Sequence, residues 1–399
     1  MMNKIQGADI KNKKVLLRVD FNTPMKDGQI ISDKRIREAL PTIQYLLDNN
    51  AKSIKIITHL GKPKGKYNEK NSLWPIANRL VELLKSNKKF TATKEYYDIS
   101  NPSTTLGAGK VIMMENLRFN AGEEKNDPKF VKELAEGMDI FCNDAFGTCH
   151  RAHASTVGVA EILPSYAGLL VQKEVEHLEN LLKSKERPFT VILGGAKIAD
   201  KLPVIKNLIS RADNFLIGGA IASTFLAARR HYLGKSLVEK ESFREANIIW
   251  QEIMDEPDKN IYLPLDLVMS KSAEKPVDVM TIDTKELLRP DIIEDYMAVD
   301  IGPKTIEQYR DIINKSKTLF WNGNMGVSEV AEFAGGTEAI AKAIVSSDAK
   351  AVIGGGDTVA AIEDLDIKID QDIFLSTGGG ATLEFLAGKE LPGLKVLDR

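Results

Sequence analysis

The chain has 399 residues, of which 43% are hydrophobic and 28% charged, and its formal net charge at pH 7 is −2. A single hydrophobic core stops growing at roughly 250–300 residues, so this length predicts two domains. The composition excludes an intrinsically disordered chain, and the near-neutral charge excludes a nucleic-acid-binding protein that is held by bulk positive charge.

The first segment, residues 1–14, is polar and charged, and it lacks the apolar run of a secretory signal. No later stretch approaches the roughly 20 uninterrupted apolar residues that a membrane-spanning helix needs. We therefore expect a cytoplasmic protein that has neither a membrane nor a nucleic acid as a partner.

Short apolar runs recur along the chain and end in glycine or a small polar residue. Because they are continuous rather than alternating, they indicate strands that are buried on both faces, as in parallel sheets. The predicted strands are residues 15–20, 53–59, 111–116, 140–144, 190–195, 215–219, 261–266, 319–323, 351–356 and 373–380. Amphipathic stretches such as 74–84 and 337–345 lie between them. This alternation predicts right-handed βαβ units and therefore an α/β fold with mostly parallel sheets.

Residues 169–185 are predicted to form a helix near the middle of the chain. Its apolar stripe consists of Leu170, Val171, Val175, Leu178, Leu181 and Leu182. Pro188 follows, and the residue before a proline disfavours helical conformation. The central position suits a connector between two domains, and a helix that covers the sheet of one domain is the alternative.

Polar residues lie at the ends of the predicted strands in the first half of the chain, at Asp20, Asn22, His59, Asn116 and Asp144. In open parallel sheets, ligands bind beyond the carboxyl ends of the strands. These side chains are therefore candidates for orienting a ligand, although a polar turn after a single strand has the same composition.

Four cations lie near the same strand ends. Arg35 opens the helix that follows the first strand, Lys62 lies in a loop rich in lysine, glycine and proline, and Arg118 and Arg151 each come shortly after a strand. One basic loop is usually solvated, but four cations at one sheet edge would concentrate positive potential on an anion. We predict an anion-binding site there.

Zinc binding is another interpretation of the cysteines and histidines in this region, which are Cys142, Cys149, His150 and His153. Their spacing is not that of paired zinc ligands, and Cys142 lies inside an apolar strand, where a free cysteine is normally a small buried hydrophobic residue. Since these are the only two cysteines, we expect no disulfide framework and a reducing compartment.

Three glycine-rich turns link predicted strands to helices in the second half of the chain. The first, at residues 194–195, is followed by Lys197 and Lys201, which we predict to lie one turn apart on one face of the opening helix. Neither the P-loop spacing nor the dinucleotide-binding spacing is present. The two lysines favour a phosphate site over a generic tight turn.

The other two turns have the same strand-to-helix position. Residues 354–358 follow a strand, and Asp357 offers a hard oxygen ligand for Mg²⁺. Residues 376–381 precede a helix predicted at 382–387, whose N-terminus would attract negative charge. Three such turns in one domain indicate a site for nucleotide phosphates.

Taken together, these segments resemble the phosphoglycerate kinase family over essentially the full length of the chain. The matching motifs are residues 18–24, 59–63, 115–119, 143–156, 194–201, 321–329, 354–358 and 376–381. The resemblance implies reversible phosphoryl transfer, with Mg²⁺, between 1,3-bisphosphoglycerate and ADP, which gives 3-phosphoglycerate and ATP in glycolysis and gluconeogenesis. Because the accepting carboxylate or phosphate is already deprotonated, no general base is required.

The resemblance also implies two Rossmann-like α/β/α domains joined by a helix. Residues 1–168 would bind phosphoglycerate, 169–187 would form the connector, 188–388 would bind the nucleotide, and 389–399 would return to the N-terminal domain. Such an enzyme is expected to work as a monomer on small-molecule substrates.

Three sets of site residues are carried over from the family. The phosphoglycerate would contact Asp20, Phe21, Asn22, Arg35, His59, Leu60, Gly61, Lys62, Arg118 and Arg151. The nucleotide would contact Lys197, Lys201, Gly219, Asn322, Glu329, Gly355, Gly356, Asp357 and Thr358. The transferring group would be stabilised by Arg35, Lys197, Gly378 and Gly379. Within these sets, Glu329 would hold the ribose and Asp357 the metal.

Four residues depart from the usual pattern of the family. Lys62 stands where the family usually has arginine, and Thr23 replaces a small apolar residue. Asn324 and Ser328 replace the usual proline and phenylalanine. We expect this last pair of changes to loosen the nucleotide loop.

Two rival functions remain distinguishable from the sequence. A nicotinamide dehydrogenase would show a G-x-G-x-x-G turn after a strand, and the sequence has none there. A non-catalytic family member, acting as a nucleotide-binding or scaffold protein, would be expected to lose Arg35, Lys197 or Asp357, and all three are present.

Overall fold

The computed structural model describes residues 2–84, 91–92, 96–98, 110–288, 293–364 and 372–398, so Arg399 of the predicted tail lies outside the described residues. The chain divides into two compact units, Met1–Glu176 with Glu390–Arg399 and His177–Lys389. This division falls inside the helix that was predicted near the middle of the chain. The functional boundaries at residues 168, 187 and 388 stay predictions.

Strands and helices are numbered along the chain. The strands are β1 (Lys14–Val19), β2 (Met25–Lys26), β3 (Gln29–Ile30), β4 (Ser53–Ile57), β5 (Thr91–Ala92), β6 (Tyr96–Asp98), β7 (Lys110–Met114), β8 (Ile140–Asp144), β9 (Ser165–Ala167), β10 (Phe189–Leu193), β11 (Asn214–Ile217), β12 (Asn260–Tyr262), β13 (Asp266–Ser270), β14 (Met280–Asp283), β15 (Met297–Ile301), β16 (Thr318–Asn322), β17 (Lys350–Gly354) and β18 (Ile373–Leu375). The α-helices are α1 (Lys34–Asp48), α2 (Trp74–Leu83), α3 (Pro128–Ala135), α4 (Val159–Ile162), α5 (Leu169–Lys183), α6 (Leu202–Leu208), α7 (Gly219–Ala228), α8 (Phe243–Met254), α9 (Pro303–Lys315), α10 (Gly335–Val345), α11 (Gly356–Glu363), α12 (Gly380–Leu386) and α13 (Pro392–Lys395).

The main sheet of the first unit has the order β5-β6-β7-β4-β1-β8-β9 among the described residues. Along the part of the sheet ordered β7-β4-β1-β8-β9, every pair of neighbouring strands is parallel, whereas β6 pairs antiparallel with both β5 and β7. Parallel pairing brings the carboxyl ends of β1, β4, β7 and β8 to the same edge of the sheet. The segments that follow these strands, where the predicted anion site lies, therefore meet at that edge.

The core of the first unit shows why α1 forms and where it packs. Its buried residues Ile36, Ala39, Ile43 and Leu46 recur every three or four positions, which places them on one helical face. They join the strand residues in one hydrophobic cluster. Burying each large apolar side chain stabilises the fold by about 1.5–3 kcal/mol. This packing fixes α1, and hence Arg35, against the sheet.

The second unit contains a parallel sheet of order β12-β11-β10-β16-β17-β18 and a separate antiparallel sheet of order β14-β13-β15. The single strand predicted at 261–266 is wrong. β12 ends at Tyr262, and Asp266 begins β13 in the other sheet. The carboxylate of Asp266 accepts hydrogen bonds from the amides of Lys304 (3.1 Å) and Thr305 (2.9 Å) at the start of α9, so it is a structural anchor.

Several helix limits differ from the predictions. α5 ends at Lys183, two residues early, and α12 begins at Gly380 rather than at residue 382. The C-terminal segment Glu390–Arg399 belongs to the first unit. There, the amide of Gly393 donates to the carbonyl of Cys149 (2.8 Å), and the amide of Asn3 donates to the carbonyl of Leu397 (2.8 Å).

Candidate active site

Asp20, directly after β1, lies beside two other predicted residues. The guanidinium of Arg35 donates a hydrogen bond to its carboxylate, and Nδ1 of His59 lies 3.8 Å from its Oδ1. Burial alone would raise the pKa of Asp20. The positive charge of Arg35 is the largest opposing influence, followed by the neighbouring His59 and the charge of Arg18, and the net effect lowers the pKa to about 2. Asp20 is therefore ionised at neutral pH.

The loop at residues 60–62 is held between the ends of β1 and β7. The amide of Gly61 donates to Oδ1 of Asn22 (2.8 Å), and its carbonyl accepts from Nη1 of Arg118 (2.7 Å). Gly61 has φ +62°, and an added Cβ would lie 2.2 Å from Nδ2 of Asn71, so a larger residue would adopt a strained φ and require the Asn71 side chain to move. Asn116 fixes Leu60 from both sides, accepting from its amide (3.2 Å) and donating to its carbonyl (2.7 Å).

The remaining predicted residues of this unit are placed as follows. The buried Phe21 donates its amide hydrogen to Oγ1 of Thr58 (2.9 Å). Lys62 follows Gly61 with an exposed side chain. Arg151 donates through Nε to Nε2 of His150 (2.9 Å).

Three arginines supply fixed positive charge at this edge. Burial lowers the pKa of the Arg118 guanidinium, Glu124 opposes that effect, and the nearby charge of Arg151 adds to it. Burial also lowers the pKa of His59 well below its ordinary value. His59 is therefore neutral at pH 7. We call the group formed by Asp20, Arg35, His59, Arg118 and Arg151 the basic edge.

A buried network under the basic edge was not predicted as functional. Arg18 is 1% exposed, donates through Nε to Oγ of Ser155 (2.9 Å), and has Nη2 3.2 Å from Nδ1 of His59. Ser155 in turn donates to Oε1 of Glu123 (2.6 Å). The available signal was an arginine inside the apolar run of β1, because such a residue is rarely buried without a partner.

The cysteines lie in the interior of the first unit. Both are free and buried, and burial raises the pKa of the Cys149 thiol to about 12, so that thiol stays protonated. Within the described part of the chain, no group of three or more His, Cys, Asp or Glu side chains is arranged to hold a metal ion.

The second unit contains a cavity of about 600 Å³, which we call the glycine cavity. All nine residues that were predicted to contact the nucleotide line it. They are Lys197, Lys201, Gly219, Asn322, Glu329, Gly355, Gly356, Asp357 and Thr358. The side chains of Lys197, Glu329 and Asp357 are exposed, whereas Asn322 and Thr358 are buried in the wall.

The segment after β16 binds the other turns of the cavity together. The carbonyl of Asn324 accepts a hydrogen bond from the amide of Gly195 (2.7 Å). The carbonyl of Met325 accepts one from the amide of Gly219 (2.9 Å). The amide of Gly323 donates to Oγ1 of Thr358 (2.8 Å). Gly219 has φ +58°, and an added Cβ would lie 2.7 Å from the amide nitrogen of Gly195, so only glycine permits this close packing.

The prediction that Lys197 and Lys201 share a helical face is wrong. Lys197 lies in irregular backbone and Lys201 in a turn, and α6 begins at Leu202. Pro203 occupies the first turn of that helix, where its fixed φ and missing amide hydrogen are tolerated. The turn before α6 is held by a residue that is distant in the sequence, because the carboxylate of Glu239 accepts a hydrogen bond from the amide of Ile198 (3.0 Å).

The structure does not bring every predicted residue to the cavity. Gly378 and Gly379 are not among the residues that line it. The amide of Gly378 donates to Oγ of Ser376 (3.1 Å), and Gly379, with φ +53°, precedes α12. The predicted helix-terminal anion site at these two glycines stays a prediction.

Sequence reasoning missed one wall of the cavity. The antiparallel sheet contributes apolar lining from Leu267 and Met297, and Leu237 lies nearby with a 60% exposed side chain. Asp300 also lines the cavity, and it accepts from the amides of Gly336 (2.6 Å) and Ile301 (2.8 Å). The glycine cavity thus joins a polar, glycine-rich side to an apolar side, as a nucleotide with phosphates and a flat base requires.

Comparison with known proteins decides the family. A family model described as phosphoglycerate kinase matches residues 5–389. The phosphoglycerate kinase of Dictyoglomus turgidum is 48% identical over 396 residues, covering 98% of this chain and 97% of the relative. That of Rubrobacter xylanophilus is 46% identical over 393 residues, covering 98% and 97%. The chain belongs to the phosphoglycerate kinase family.

Solved structures from the phosphoglycerate kinase family have the same fold. The structure from Pyrococcus horikoshii gives a TM-score of 0.82 at 37% identity and covers 100% of this chain and 98% of that one. The structure from Coxiella burnetii gives 0.80 at 35% identity, with 100% and 99% covered. The predicted family, the two-domain α/β fold with mostly parallel sheets, and the phosphotransferase activity of a phosphoglycerate kinase are confirmed.

Asn324 and Ser328, which the sequence resemblance marked as departures, contact each other. Nδ2 of Asn324 donates a hydrogen bond to Oγ of Ser328. The expected loosening of this loop stays a prediction.

Among the helices of the described ranges, none has both the length and the apolar character needed to cross a membrane.

Proposed function

We propose that this chain catalyses reversible phosphoryl transfer between 1,3-bisphosphoglycerate and ADP, which gives 3-phosphoglycerate and ATP, and that the two candidate surfaces divide the substrates between them. The glycine cavity carries the proposal, because every residue predicted to contact the nucleotide lines it. The basic edge supports it, because its fixed arginine charges suit a small anion.

The phosphoglycerate is proposed to bind at the basic edge. The guanidinium groups of Arg35, Arg118 and Arg151 would pair with its phosphate and carboxylate, since a planar guanidinium matches both groups with two hydrogen bonds. Asp20 and Asn22 would orient its hydroxyl group. Arg18 and Glu123 would support His59 and Arg118 from beneath. The loop at 60–62 would complete the site.

The nucleotide is proposed to bind in the glycine cavity. Lys197 and Lys201 would contact phosphate oxygens, and the glycine turns allow the backbone to approach them closely. Glu329 would accept hydrogen bonds from the ribose hydroxyls. The apolar lining near Leu267 would contact the base.

We propose that Asp357 holds Mg²⁺ together with the nucleotide. Its exposed carboxylate opens into the cavity at the first turn of α11. Mg²⁺ usually takes one or two carboxylates plus phosphate oxygens and water, so this arrangement fits the ion. When bound, the ion would neutralise charge on the phosphates.

The chemistry requires positioning and charge neutralisation rather than a base. The acceptor oxygen is a carboxylate or a nucleotide phosphate and is already ionised at pH 7. Arg35 and Lys197 are proposed to stabilise the transferring group, whose negative charge is spread over its oxygens. The neutral His59 fits a binding role and not proton transfer.

One assay separates an enzyme from a non-catalytic family member. The chain is mixed with 3-phosphoglycerate, ATP and Mg²⁺, and the product is reduced by a coupled dehydrogenase while NADH absorbance is followed. Absorbance should fall only when all three are present. Tight binding of Mg-ATP without turnover would favour the binding or scaffold function instead.

We further propose that the enzyme works as a monomer in the cytoplasm. The buried, free cysteines are compatible with a reducing compartment. Sedimentation of the purified chain would test the oligomeric state.

A further inference from the structure

The loop after β16 carries two side chains that bond to each other in the wall of the glycine cavity. Asn324, which is 8% exposed, lines the cavity and donates through Nδ2 to Oγ of Ser328. The proline and phenylalanine that the sequence resemblance implies at these positions have no side-chain group that could form this bond. The bond needs the amide of Asn324 and the hydroxyl of Ser328.

The bond connects a fixed part of the loop to the residue beside Glu329. The carbonyl of Asn324 accepts from the amide of Gly195 (2.7 Å), and the amide of Met325 donates to Oγ1 of Thr337 (3.0 Å). Ser328 immediately precedes Glu329, whose exposed side chain lines the cavity. Because the bond links the fixed Asn324 to Ser328, it restrains the segment that carries Glu329.

The amide of Asn324 depends on Ser328 to stay in the wall. Its Oδ1 is buried and has no hydrogen-bond partner among the described residues. Exchanging the oxygen and nitrogen of the amide would move the unpaired end to nitrogen without pairing it. If the Ser328 hydroxyl were removed, both ends would be unpaired in a buried position, which is unfavourable. The side chain would then turn outward and release the loop.

We propose that Asn324 and Ser328 are positioning residues that hold Glu329 in the orientation in which it meets the nucleotide. The inference rests on the proposed function, since it assigns Glu329 to nucleotide binding. The polar bond replaces the restraint that the fixed φ of a proline would provide. On this proposal the pair of side chains braces the loop, which is the opposite of the loosening expected from the sequence.

The first test removes the hydroxyl with Ser328→Ala in the full chain and measures Mg-ATP binding by calorimetry. The dissociation constant and the nucleotide KM should rise about tenfold, as when the binding-competent loop falls to about a tenth of the population. The kcat and the KM for 3-phosphoglycerate should not change. Ser328→Thr keeps the hydroxyl and should restore affinity.

The matched control is Ser347→Ala. The Ser347 hydroxyl donates to the carbonyl of Ile344 (2.8 Å) in the same unit, and Ser347 does not line the cavity. Nucleotide affinity should be unchanged in this variant. If Ser328→Ala fails to fold, Ser328→Cys replaces it, because a thiol is a weak hydrogen-bonding group of similar shape.

A double-mutant cycle with Glu329→Ala decides how the pair acts. If Ser328 works through Glu329, then Ser328→Ala should add no loss of affinity to the Glu329→Ala variant. Additive losses would overturn the inference, and so would a lowered melting temperature with unchanged nucleotide affinity. A wild-type chain that neither binds Mg-ATP nor turns over would overturn the proposed function itself, and the two failures are thereby distinguished.

Discussion

The guanidinium of Arg35, at the start of α1, donates a hydrogen bond to the carboxylate of Asp20, the residue directly after β1. They are fifteen positions apart along the chain, and the packing of α1 on the sheet brings them together. Asp20 holds the arginine in place at the basic edge and stays ionised because of it.

Arg35 is expected to act in the transition state. Arg35→Ala should lower kcat by roughly 10²–10³, as removal of one electrostatic stabiliser does elsewhere, with a much smaller change in nucleotide KM. Steady-state kinetics in both directions would measure this. Arg37→Ala is the control, because Arg37 is exposed and pairs with Asp33 instead. An effect confined to KM would contradict the role.

The pKa of Asp20 predicts a loss of stability in acid. Its pKa in the folded chain is about 2, below the ordinary value of 3.8, so its contribution to stability is present above about pH 4 and is lost as the pH falls through about 2. The difference in melting temperature between the wild type and Asp20→Asn should shrink over this window. A difference that is constant from pH 5 to pH 2 would contradict it.

Asp300 predicts the opposite pH dependence. Burial raises its pKa to about 7, although the amides of Gly336 and Ile301 oppose the increase. Between about pH 4 and pH 7 the folded chain therefore holds a proton that the unfolded chain releases, and this contribution to stability falls as the pH rises. Asp300→Asn cannot titrate. Its melting temperature relative to wild type should rise from pH 4.5 to pH 7.5, and a flat difference would refute the shift.

Asp357→Asn should weaken Mg-ATP binding by roughly 10- to 100-fold, the equivalent of losing one interaction with a charged group. Binding of 3-phosphoglycerate should stay intact, because its proposed site is in the other unit. Calorimetry with each ligand would show the contrast. Asp364→Asn, at the opposite end of α11, is the matched control. Equal losses for both ligands would argue against separate sites.

Lys62→Arg should tighten 3-phosphoglycerate binding by roughly two- to fivefold, because a guanidinium forms two parallel hydrogen bonds where an ammonium acts as a point charge. Lys64→Arg, an exposed lysine in the same loop, serves as the control and should have no effect. Unchanged affinity in both variants would mean that Lys62 faces solvent when the substrate is bound.

The positions of the candidate residues were predictable wherever their cause is local. Continuous apolar runs mark the buried strands, and a parallel sheet then places the residues after Val19 and Ile57 at one edge. Glycine turns likewise mark the close backbone packing around Gly219. Each family motif lies within a short stretch of sequence. The motifs and their order along the chain were therefore sufficient to identify the family.

The sequence by itself determined the α/β class and nine of the residues that line the glycine cavity. Only the tertiary structure decided what surrounds them. It ended the strand at Tyr262, kept Lys197 off the helix, gave Arg18 its buried partners and joined Asn324 to Ser328. The reason is physical: a hydrogen-bond partner such as Glu239 lies about 40 positions away along the chain, and no local pattern of propensity or periodicity specifies such a contact.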